Sequence, residues 1–287
     1  MFTELGGEPV RQAIEKEITE SVKEFKGRGV YPKLAILRAG EDADQVFYEN
    51  AILKAADDLG ILTQTIAFSD STTQAYMEVA VQAFNADDEI HGIILLRPFP
   101  EHIDEERIRR LLNPSKDVDA VTDISIARTI TGKSDLFHAC TAESCMEMLR
   151  YYNIDPAGRK VTIVGRSLTV GKPLAMLMMN NNATVTVCHK QTPHEDVVAA
   201  CRNADIVVLA TGKTEGYGAE YFHDGQIILD VGAGTGRDGK LHGDLDIEDI
   251  KMSGAITDMT YTPVPGGLGM VTTVLLLRNI IKAAARL

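Results

Sequence analysis

Basic residues are few in this sequence relative to acidic ones. Its 287 residues include 29 Lys and Arg against 41 Asp and Glu, which gives a net charge of −12. A protein with this balance is not expected to bind nucleic acid, and any anionic ligand must be held by local groups because the overall field repels it. The sequence also lacks a run of about 18 apolar residues, which a membrane-spanning helix needs, so no membrane interaction is predicted.

Cysteine is also scarce, and its spacing excludes the common metal motifs. The four cysteines, at 140, 145, 188 and 201, form no C-x-x-C pair, and no histidines accompany them at zinc spacing. No metal site is therefore predicted, and reduced thiols are expected.

The first ten residues, MFTELGGEPV, contain neither a basic region nor an apolar one. No signal peptide is predicted from them, and a cytoplasmic location is expected.

Strand and helix patterns alternate along nearly the whole chain. Short apolar patterns typical of strands occupy 33–38, 62–68, 91–96, 160–165, 183–188, 205–210 and 226–231. Helical patterns occupy 9–25, 44–59, 72–84, 103–112, 140–152, 171–180, 194–202 and 271–285. Such alternation predicts parallel sheets covered by helices.

A break in this alternation suggests two domains. The stretch 115–139 is less regular, and the helix after it is predicted to have Thr141 as its N-cap. The last helix follows a loop rich in Pro and Gly and is expected to return to the first domain. The sequence therefore predicts an α/β fold with two domains, one formed by 1–139 plus 271–287 and the other by 140–270.

The segment GRSLTVGKP at 165–173 has the features of a phosphate-binding turn. It follows an apolar strand pattern at 160–164 and precedes a helix, and phosphates bind at such turns. Gly165 allows the chain to turn sharply, Ser167 offers a hydroxyl group, and Gly171 permits close packing at the helix start. An ordinary tight turn between a strand and a helix is the alternative interpretation.

Two cations near this turn favour one dinucleotide over another. In NAD-specific folds an acidic residue near the end of the second strand binds the ribose diol. Here that strand is followed by His189, Lys190 and Gln191, with no carboxylate. Lys190, together with Arg166 in the turn, would suit a 2′-phosphate, so NADP is predicted. NAD remains an alternative, since Lys190 could equally be a solvated surface residue.

Further motifs give this turn a family context. They are KDVD at 116–119, Cys140-Thr141, DVG at 230–232, GDLD at 243–246 and TPVPGG at 262–267. With these motifs in this order, the chain resembles the methylenetetrahydrofolate dehydrogenase/cyclohydrolase family of the FolD type over nearly its whole length. That family oxidises 5,10-methylenetetrahydrofolate to the 5,10-methenyl cation, and most members then hydrolyse the cation to 10-formyltetrahydrofolate.

The resemblance implies an architecture and a set of site residues. It implies an N-terminal α/β folate-binding domain, a C-terminal Rossmann-like NAD(P)-binding domain, a cleft between them, and a homodimer that acts on tetrahydrofolate one-carbon derivatives. Tyr48 and Asp119 would be the catalytic and substrate-binding residues, with Asp119 accepting hydrogen bonds from the pterin ring. The loop that would approach both ligands consists of Pro265, Gly266 and Gly267. The cofactor-binding residues would be Gly165, Arg166, Ser167, Val170, Gly171, Lys190 and Thr272.

The sequence departs from the family where hydrolysis is concerned. The family has a lysine four residues after the tyrosine and a glutamine in the pattern G-x-x-x-Q-x-P-x-P, and these positions are Ile52 and Leu96 here. Lys54 would not replace the lysine, because a residue six positions along a helix points about 120° away. Arg97 is expected to point opposite to Leu96 by strand alternation, so it is not expected to replace the lysine either.

The missing polar pair affects one reaction more than the other. Hydride transfer removes no proton from carbon, whereas hydrolysis of the methenyl cation needs a positioned acid or base, worth about 10²–10⁴-fold in rate. We therefore predict a dehydrogenase with little or no cyclohydrolase activity. Three alternatives stay open at this stage: a bifunctional enzyme in which another group or a water replaces the lysine, a non-catalytic folate- or nucleotide-binding protein, and, on fold alone, a shikimate-type oxidoreductase.

Overall fold

A computed structural model describes residues 1–133 and 137–286 and divides the chain into two compact units. The first unit combines Met1–Arg11 with Thr141–Thr272, and the second combines Gln12–Cys140 with Thr273–Leu287. We name them the six-stranded unit and the three-stranded unit after their main sheets. None of the helices within the described ranges is both long enough and apolar enough to cross a membrane.

The elements follow one another in the alternating order expected from the sequence. The strands are β1 (Phe2–Glu4), β2 (Lys33–Ala39), β3 (Leu62–Phe68), β4 (Gly92–Leu95), β5 (Lys160–Val164), β6 (Thr184–Cys188), β7 (Ile206–Leu209), β8 (Gln226–Asp230), β9 (Gly234–Thr235), β10 (Leu241–His242) and β11 (Met259–Tyr261). The α-helices are α1 (Glu8–Gly27), α2 (Ala43–Asp58), α3 (Gln74–Ala86), α4 (Glu105–Leu111), α5 (Asp123–Ile130), α6 (Cys140–Tyr151), α7 (Gly171–Asn180), α8 (His194–Arg202), α9 (Ile247–Ser253) and α10 (Leu268–Ala284). A short 3₁₀ helix covers Ala219–Tyr221.

The three-stranded unit has a parallel sheet in the order β3-β2-β4. Both β2 and β4 are almost entirely buried, as expected for parallel strands covered on both faces. Helix α2 begins after Asp42, whose side chain caps the helix by accepting hydrogen bonds from the next turn. Its buried face consists of Gln45, Glu49, Ile52 and Ala56.

The six-stranded unit has a parallel sheet in the order β1-β11-β8-β7-β5-β6. The chain runs outward in one direction from β5 to β6 and then returns to β7 on the other side of β5. Ligands of doubly wound sheets bind at the carboxyl ends of strands at such a change of direction. The core beneath this edge includes Val207, Leu209, Ile228 and Met259.

The sequence predicted no element between 231 and 271, where the structure has β9, β10, α9 and β11. Three other local features also differ from the sequence predictions. Strand β1 was not predicted, and it joins the sheet by pairing with β11. Helix α5 lies within the stretch 115–139 that was predicted to be irregular; residues 134–136 of that stretch are outside the described ranges. The prediction that Thr141 is an N-cap is wrong, because α6 already begins at Cys140, whose backbone N–H donates to Asp119 Oδ1 at 3.3 Å.

Candidate active site

The turn between β5 and α7 is built around two glycines. Gly165 has a φ of +130°, and a Cβ there would lie 2.3 Å from the carbonyl oxygen of Ala210. A Cβ on Gly171 would lie 2.0 Å from the carbonyl oxygen of Gly165. Both positions therefore require glycine, and the turn brings the start of α7 close to the end of β5.

Replacing Gly165 by alanine should lower the free energy of unfolding by about 2 to 3 kcal/mol, because the backbone is strained for any side chain and the Cβ overlaps a carbonyl oxygen. Urea unfolding followed by circular dichroism measures this. Gly6→Ala is the matched control in the same unit, since a Cβ there meets nothing within 4 Å. Equal stability of the two variants would contradict the role assigned to the turn.

The start of α7 favours an anion mainly through its helix dipole. No side chain caps the helix at Val170. Ser167 Oγ accepts from the Val170 N–H at 3.1 Å, and this bond shapes the turn. The Lys172 and Leu174 N–H groups donate to the carbonyls of Ser167 and Val170, and Pro173 has no N–H. The positive end of the dipole of this ten-residue helix still favours a negatively charged ligand.

A cavity of about 660 Å³ opens at this turn within the six-stranded unit. Its lining consists of Val164, Gly165, Arg166, Ser167, His189, Lys190, Thr192, His194, Val197, Ala210, Thr211, Lys213, Tyr217 and Tyr221. Three cationic side chains in one cavity give it a local positive character despite the acidic chain. Cations and the positive end of a helix dipole suit a pyrophosphate, and apolar walls with tyrosines suit a flat ring. The residues present therefore fit a dinucleotide.

The remaining residues predicted to bind the cofactor have different positions. Val170 and Gly171 form the start of α7 and shape the turn. Thr272 lies in α10, where its hydroxyl donates to the carbonyl of Leu268 at 3.3 Å. The described residues that line the cavity do not include Thr272.

The loop 262–267 is tightly folded within the six-stranded unit. Thr262 Oγ1 accepts from the Asp230 N–H at 2.8 Å. Gly266 has a φ of +104°, and its carbonyl accepts from the Gly7 N–H at 2.7 Å. A Cβ on Gly267 would lie 2.5 Å from the carbonyl oxygen of Pro263. The glycines after Pro265 are therefore needed for the path of this loop.

A second cavity, of about 430 Å³, lies in the three-stranded unit. Its lining consists of Asp42, Asp44, Gln45, Tyr48, Ile94, Leu95, Leu96, Arg97, Pro98 and Asp119. The structure thus brings together Tyr48 from α2 and Asp119 from the KDVD motif, the two residues that the resemblance assigned to the folate. Leu96, at the position where the family has glutamine, lines the same cavity.

Two of the polar side chains of this cavity, Asp119 and Tyr48, have perturbed acidities. Burial raises the pKa of the Asp119 carboxyl, while Arg97 and the Cys140 N–H oppose that rise. Burial also raises the pKa of the Tyr48 phenol well above its usual value, and the negative charge of Asp119 adds to the effect. Tyr48 is therefore a neutral hydrogen-bonding group at neutral pH rather than a base.

The other charged residues of the KDVD motif hold the backbone around Asp119. Lys116 Nζ donates to the carbonyls of Phe84, Asn85 and Asp87 at 3.2, 2.9 and 2.6 Å. Asp117 accepts from the Val121 and Thr122 N–H groups at 2.9 Å each and from Ser125 Oγ at 2.6 Å. Lys116 and Asp117 are thus committed to protein contacts, which leaves Asp119 as the motif's carboxylate at the cavity.

The aliphatic substitutions are buried, and Lys54 does not replace the lysine. Ile52 is 0% exposed and Leu96 is 3% exposed. Lys54 is exposed on α2, as the helical geometry predicted. A buried polar pair replaced by two apolar side chains leaves no group without a partner.

The prediction for Arg97 is wrong. Strand β4 ends at Leu95, so alternation of side chains does not extend to Leu96 and Arg97, and both line the cavity. Arg97 Nη1 donates to Glu105 Oε1 at 3.0 Å. A guanidinium group remains protonated in proteins, so Arg97 brings a permanent positive charge to the cavity.

Gln45 and Lys213 are among the polar residues of the cavities that were not predicted. Gln45 lies three residues before Tyr48 on α2, and its Nε2 donates to the Pro98 carbonyl at 2.7 Å. The i, i+3 spacing from Tyr48 could have indicated it. Lys213 follows the end of β7, next to β5 in the sheet, and the usual site position at strand ends could have indicated it.

These features define a class of protein before any comparison is made. A parallel six-stranded sheet with an anion-binding turn at its carboxyl edge is a dinucleotide-binding fold, here joined to a second α/β unit. Family models agree: the catalytic domain of tetrahydrofolate dehydrogenase/cyclohydrolase matches residues 5–119, and the NAD(P)-binding domain of the same family matches residues 139–287. The chain belongs to the tetrahydrofolate dehydrogenase/cyclohydrolase family, which confirms the resemblance seen in the motifs.

Individual relatives support this assignment. The chain is 39% identical to "Bifunctional protein FolD" of Clostridium kluyveri over 277 residues, covering 96% of this chain and 95% of the relative. It is 32% identical to the crystal structure of the bifunctional enzyme FolD from Campylobacter jejuni, with a TM-score of 0.94 and coverage of 100% and 99%. A methylenetetrahydrofolate dehydrogenase-cyclohydrolase of Trypanosoma brucei, complexed with NADP and an inhibitor, is 31% identical with a TM-score of 0.92 and coverage of 99% and 98%.

Proposed function

We propose that the protein oxidises 5,10-methylenetetrahydrofolate to 5,10-methenyltetrahydrofolate with NADP as hydride acceptor and hydrolyses the product weakly or not at all. The three-stranded unit would bind the folate, and the six-stranded unit would bind the cofactor. The observation that supports this proposal is the second cavity, which Tyr48 and Asp119 line together with the aliphatic Leu96, while Ile52 is buried one helical turn after Tyr48.

The residues of the chain contribute mainly binding and orientation to hydride transfer. The ionised Asp119 can accept from the adjacent ring N–H and amino donors of a pterin, and Tyr48 can donate from its neutral phenol. When bound, the nicotinamide supplies the hydride acceptor. Since no proton leaves carbon in this step, correct placement of the folate is what the protein must provide.

The two positions at which the resemblance implies a hydrolytic lysine and glutamine hold no acid or base. Ile52 and Leu96 have no titratable group, and the guanidinium of Arg97 does not release a proton. Of the carboxylates that line the cavity, Asp42 caps α2, Asp44 is exposed, and Asp119 is assigned to the pterin. Burial raises the pKa of Tyr48 well above its usual value, so its phenol is not a base near neutral pH. We therefore expect hydrolysis to lack the acid or base that usually accelerates it.

The cations of the first cavity support NADP over NAD. Arg166 and Lys190 both line it, and no carboxylate follows the end of β6. Replacing Lys190 by alanine should raise the KM for NADP about 10- to 100-fold, because a charge-assisted bond contributes about 1.5–3 kcal/mol. The KM for NAD should stay nearly constant. Steady-state kinetics with both cofactors measures this.

Lys172→Ala is the matched control for that experiment. Lys172 is a lysine of the segment 165–173, but it is exposed on α7 and does not line the cavity. It should leave both KM values unchanged. An equal increase in the KM for NADP and NAD in Lys190→Ala would argue against recognition of a 2′-phosphate.

The charge of Arg97 should determine the pH below which kcat/KM for the folate falls. Asp119 must be ionised to accept from the pterin, so kcat/KM falls as the pH falls through the raised pKa of its carboxyl. Arg97→Met removes the charge that lowers this pKa, and the acid limb of the profile should move to higher pH. Arg97→Lys keeps a positive charge and should leave the limb near its original position. A profile that does not move in Arg97→Met would contradict this role.

Two alternatives are separated by a paired absorbance assay. A bifunctional enzyme is favoured by the names of the relatives. It predicts rapid loss of methenyltetrahydrofolate without cofactor, whereas our proposal predicts loss near the buffer rate. A non-catalytic folate- or nucleotide-binding protein predicts no methenyl formation with methylenetetrahydrofolate and NADP.

We also expect the protein to be a homodimer, as the resemblance implies. Light scattering measures the molar mass in solution and tests this expectation.

A further inference from the structure

Two buried carboxylates behind the first cavity have no role so far. Asp244 is 0% exposed and Asp230 is 2% exposed, and both belong to the six-stranded unit. Asp244 Oδ2 accepts three hydrogen bonds: from Thr211 N at 2.7 Å, from Thr211 Oγ1 at 2.8 Å and from Gly212 N at 3.1 Å. Asp244 Oδ2 therefore fixes Thr211 and Gly212, the two residues that follow the cavity-lining residue Ala210.

Asp230 holds Asp244 in place. It ends β8, and its carboxylate accepts from the N–H groups of Gly232, Asp244 and Leu245 at 2.9, 3.1 and 2.8 Å. The glycines around it are necessary for this packing. A Cβ on Gly243 would lie 2.0 Å from Asp230 Oδ2, and one on Gly232 would lie 2.3 Å from Asp244 Oδ1.

Backbone hydrogen bonds also join the segment 211–217 to residues 243–244. Glu215 N donates to the Gly243 carbonyl at 2.8 Å, and the carbonyl of Asp244 accepts from Gly216 N at 2.9 Å and from Tyr217 N at 3.1 Å. The segment is thus bound to residues 243–244 at its beginning and at its end. It supplies Thr211, Lys213 and Tyr217 to the cavity lining.

We propose that Asp244 is a positioning residue for the dinucleotide, acting through the segment 211–217, and that Asp230 orients Asp244 for this task. The ligand class follows from the proposed function, on which this inference rests. Asp244 touches the backbone and hydroxyl of Thr211 rather than the cavity, so its effect on binding is indirect. Lys213 lies inside this segment, and its Nζ stands 5.8 Å from the centroid of the Tyr217 ring, so a rigid segment places the cation and the ring together.

The contacts of Asp244 allow a conservative variant to separate geometry from charge. Asp244 Oδ1 has no hydrogen-bond partner among the described residues. Asparagine can place its oxygen at the position of Oδ2 and keep all three bonds, with its amide nitrogen at the position of Oδ1. Alanine removes the acceptor and leaves the buried donors of Thr211 and Gly212 unpaired.

The experiment measures NADPH binding to the full-length protein by fluorescence and kinetic constants for both substrates. We expect Asp244→Ala to raise the Kd for NADPH about 10-fold or more, with the KM for the folate nearly unchanged. Asp244→Asn should stay within about threefold of the wild-type Kd. Thr211→Val should lie between them, because it loses the bonds of the hydroxyl to Asp244 and from the Lys213 N–H but keeps the two backbone N–H bonds to Asp244. If Asp244→Asn lost binding as fully as Asp244→Ala, or if Asp244→Ala bound normally, the proposal would be overturned.

A destabilised control separates positioning from general loss of stability. Ile250 is fully buried in the core of the same unit and does not line the cavity. Ile250→Ala should reduce stability without raising the Kd for NADPH; an equal rise in that variant would overturn the proposal. Hydrogen exchange of peptides covering 211–217 should accelerate in Asp244→Ala but not in Asp244→Asn.

The exchange measurement also distinguishes this inference from the proposed function. Unchanged exchange of the segment 211–217 in Asp244→Ala would overturn the positioning role even if the enzyme binds NADPH. A wild-type protein that shows normal exchange protection but does not bind NADPH would instead overturn the proposed cofactor, and with it the ligand named here.

Discussion

The double variant Ile52→Lys, Leu96→Gln should hydrolyse methenyltetrahydrofolate about 100-fold or more faster than its parent. Acid–base catalysis by a positioned side chain contributes about 10²–10⁴-fold, and the parent has only aliphatic groups at these two positions. Leu96 lines the cavity with Tyr48, and Ile52 lies one helical turn after Tyr48 on α2. Loss of methenyl absorbance in the absence of cofactor measures the reaction.

The two substitutions are expected to act together. Ile52 is fully buried, so a lysine there without a polar partner costs several kcal/mol or loses its proton. Ile52→Lys alone should therefore be less stable than the double variant, and Leu96→Gln alone should gain little hydrolysis. Lys54→Ala is the control on the exposed side of α2 and should change nothing. A folded double variant that oxidises the methylene substrate but gains no hydrolysis would refute the explanation.

Asp119→Asn should lower kcat/KM for methylenetetrahydrofolate by about 10²- to 10³-fold. The carboxylate can accept two hydrogen bonds from a pterin, each worth about 1.5–3 kcal/mol when one partner is charged. Asparagine replaces one acceptor with a donor, which would face a donor of the ligand. Steady-state kinetics with saturating cofactor gives the value, and the main effect should be on KM.

Two controls test whether this loss is specific to the folate. Asp123→Asn changes an exposed carboxylate at the start of the neighbouring helix α5 and should leave kcat/KM unchanged. The Kd for NADPH of Asp119→Asn should equal that of the wild type, because the dinucleotide cavity is formed by the six-stranded unit alone. If Asp119→Asn kept normal folate kinetics, Asp119 would not be the pterin-binding residue.

The parts of the site that the sequence predicted depend on local chain geometry. Glycines at 165 and 171 indicate a strand-to-helix turn because only such a turn needs both of them, and the structure places them there. Tyr48 and Asp119 were assigned by resemblance, and the structure brings them to one cavity. Helical geometry predicted that Lys54 points away from Tyr48, and the structure leaves Lys54 exposed because it lies well inside a regular helix.

What the sequence did not predict depends on where elements end or on distant partners. The error for Arg97 arose because β4 stops at Leu95, one residue earlier than the apolar run suggests. Strand β1 has only three residues and is fixed by pairing with β11, more than 250 positions away. Thr141 has the chemistry of an N-cap, but a carboxylate from another segment, Asp119, bonds to the helix start one residue earlier.

The discontinuity of both units has a consequence for how the chain is made. Each unit is assembled from two separate stretches, and the six-stranded sheet needs β11 before β1 can pair with it. The three-stranded unit likewise needs the stretch that begins at Thr273, which is separated from Cys140 by most of the other unit. Each unit therefore reaches its complete set of contacts only after most of the other unit has been synthesised, so the two cannot fold strictly one after the other along the chain.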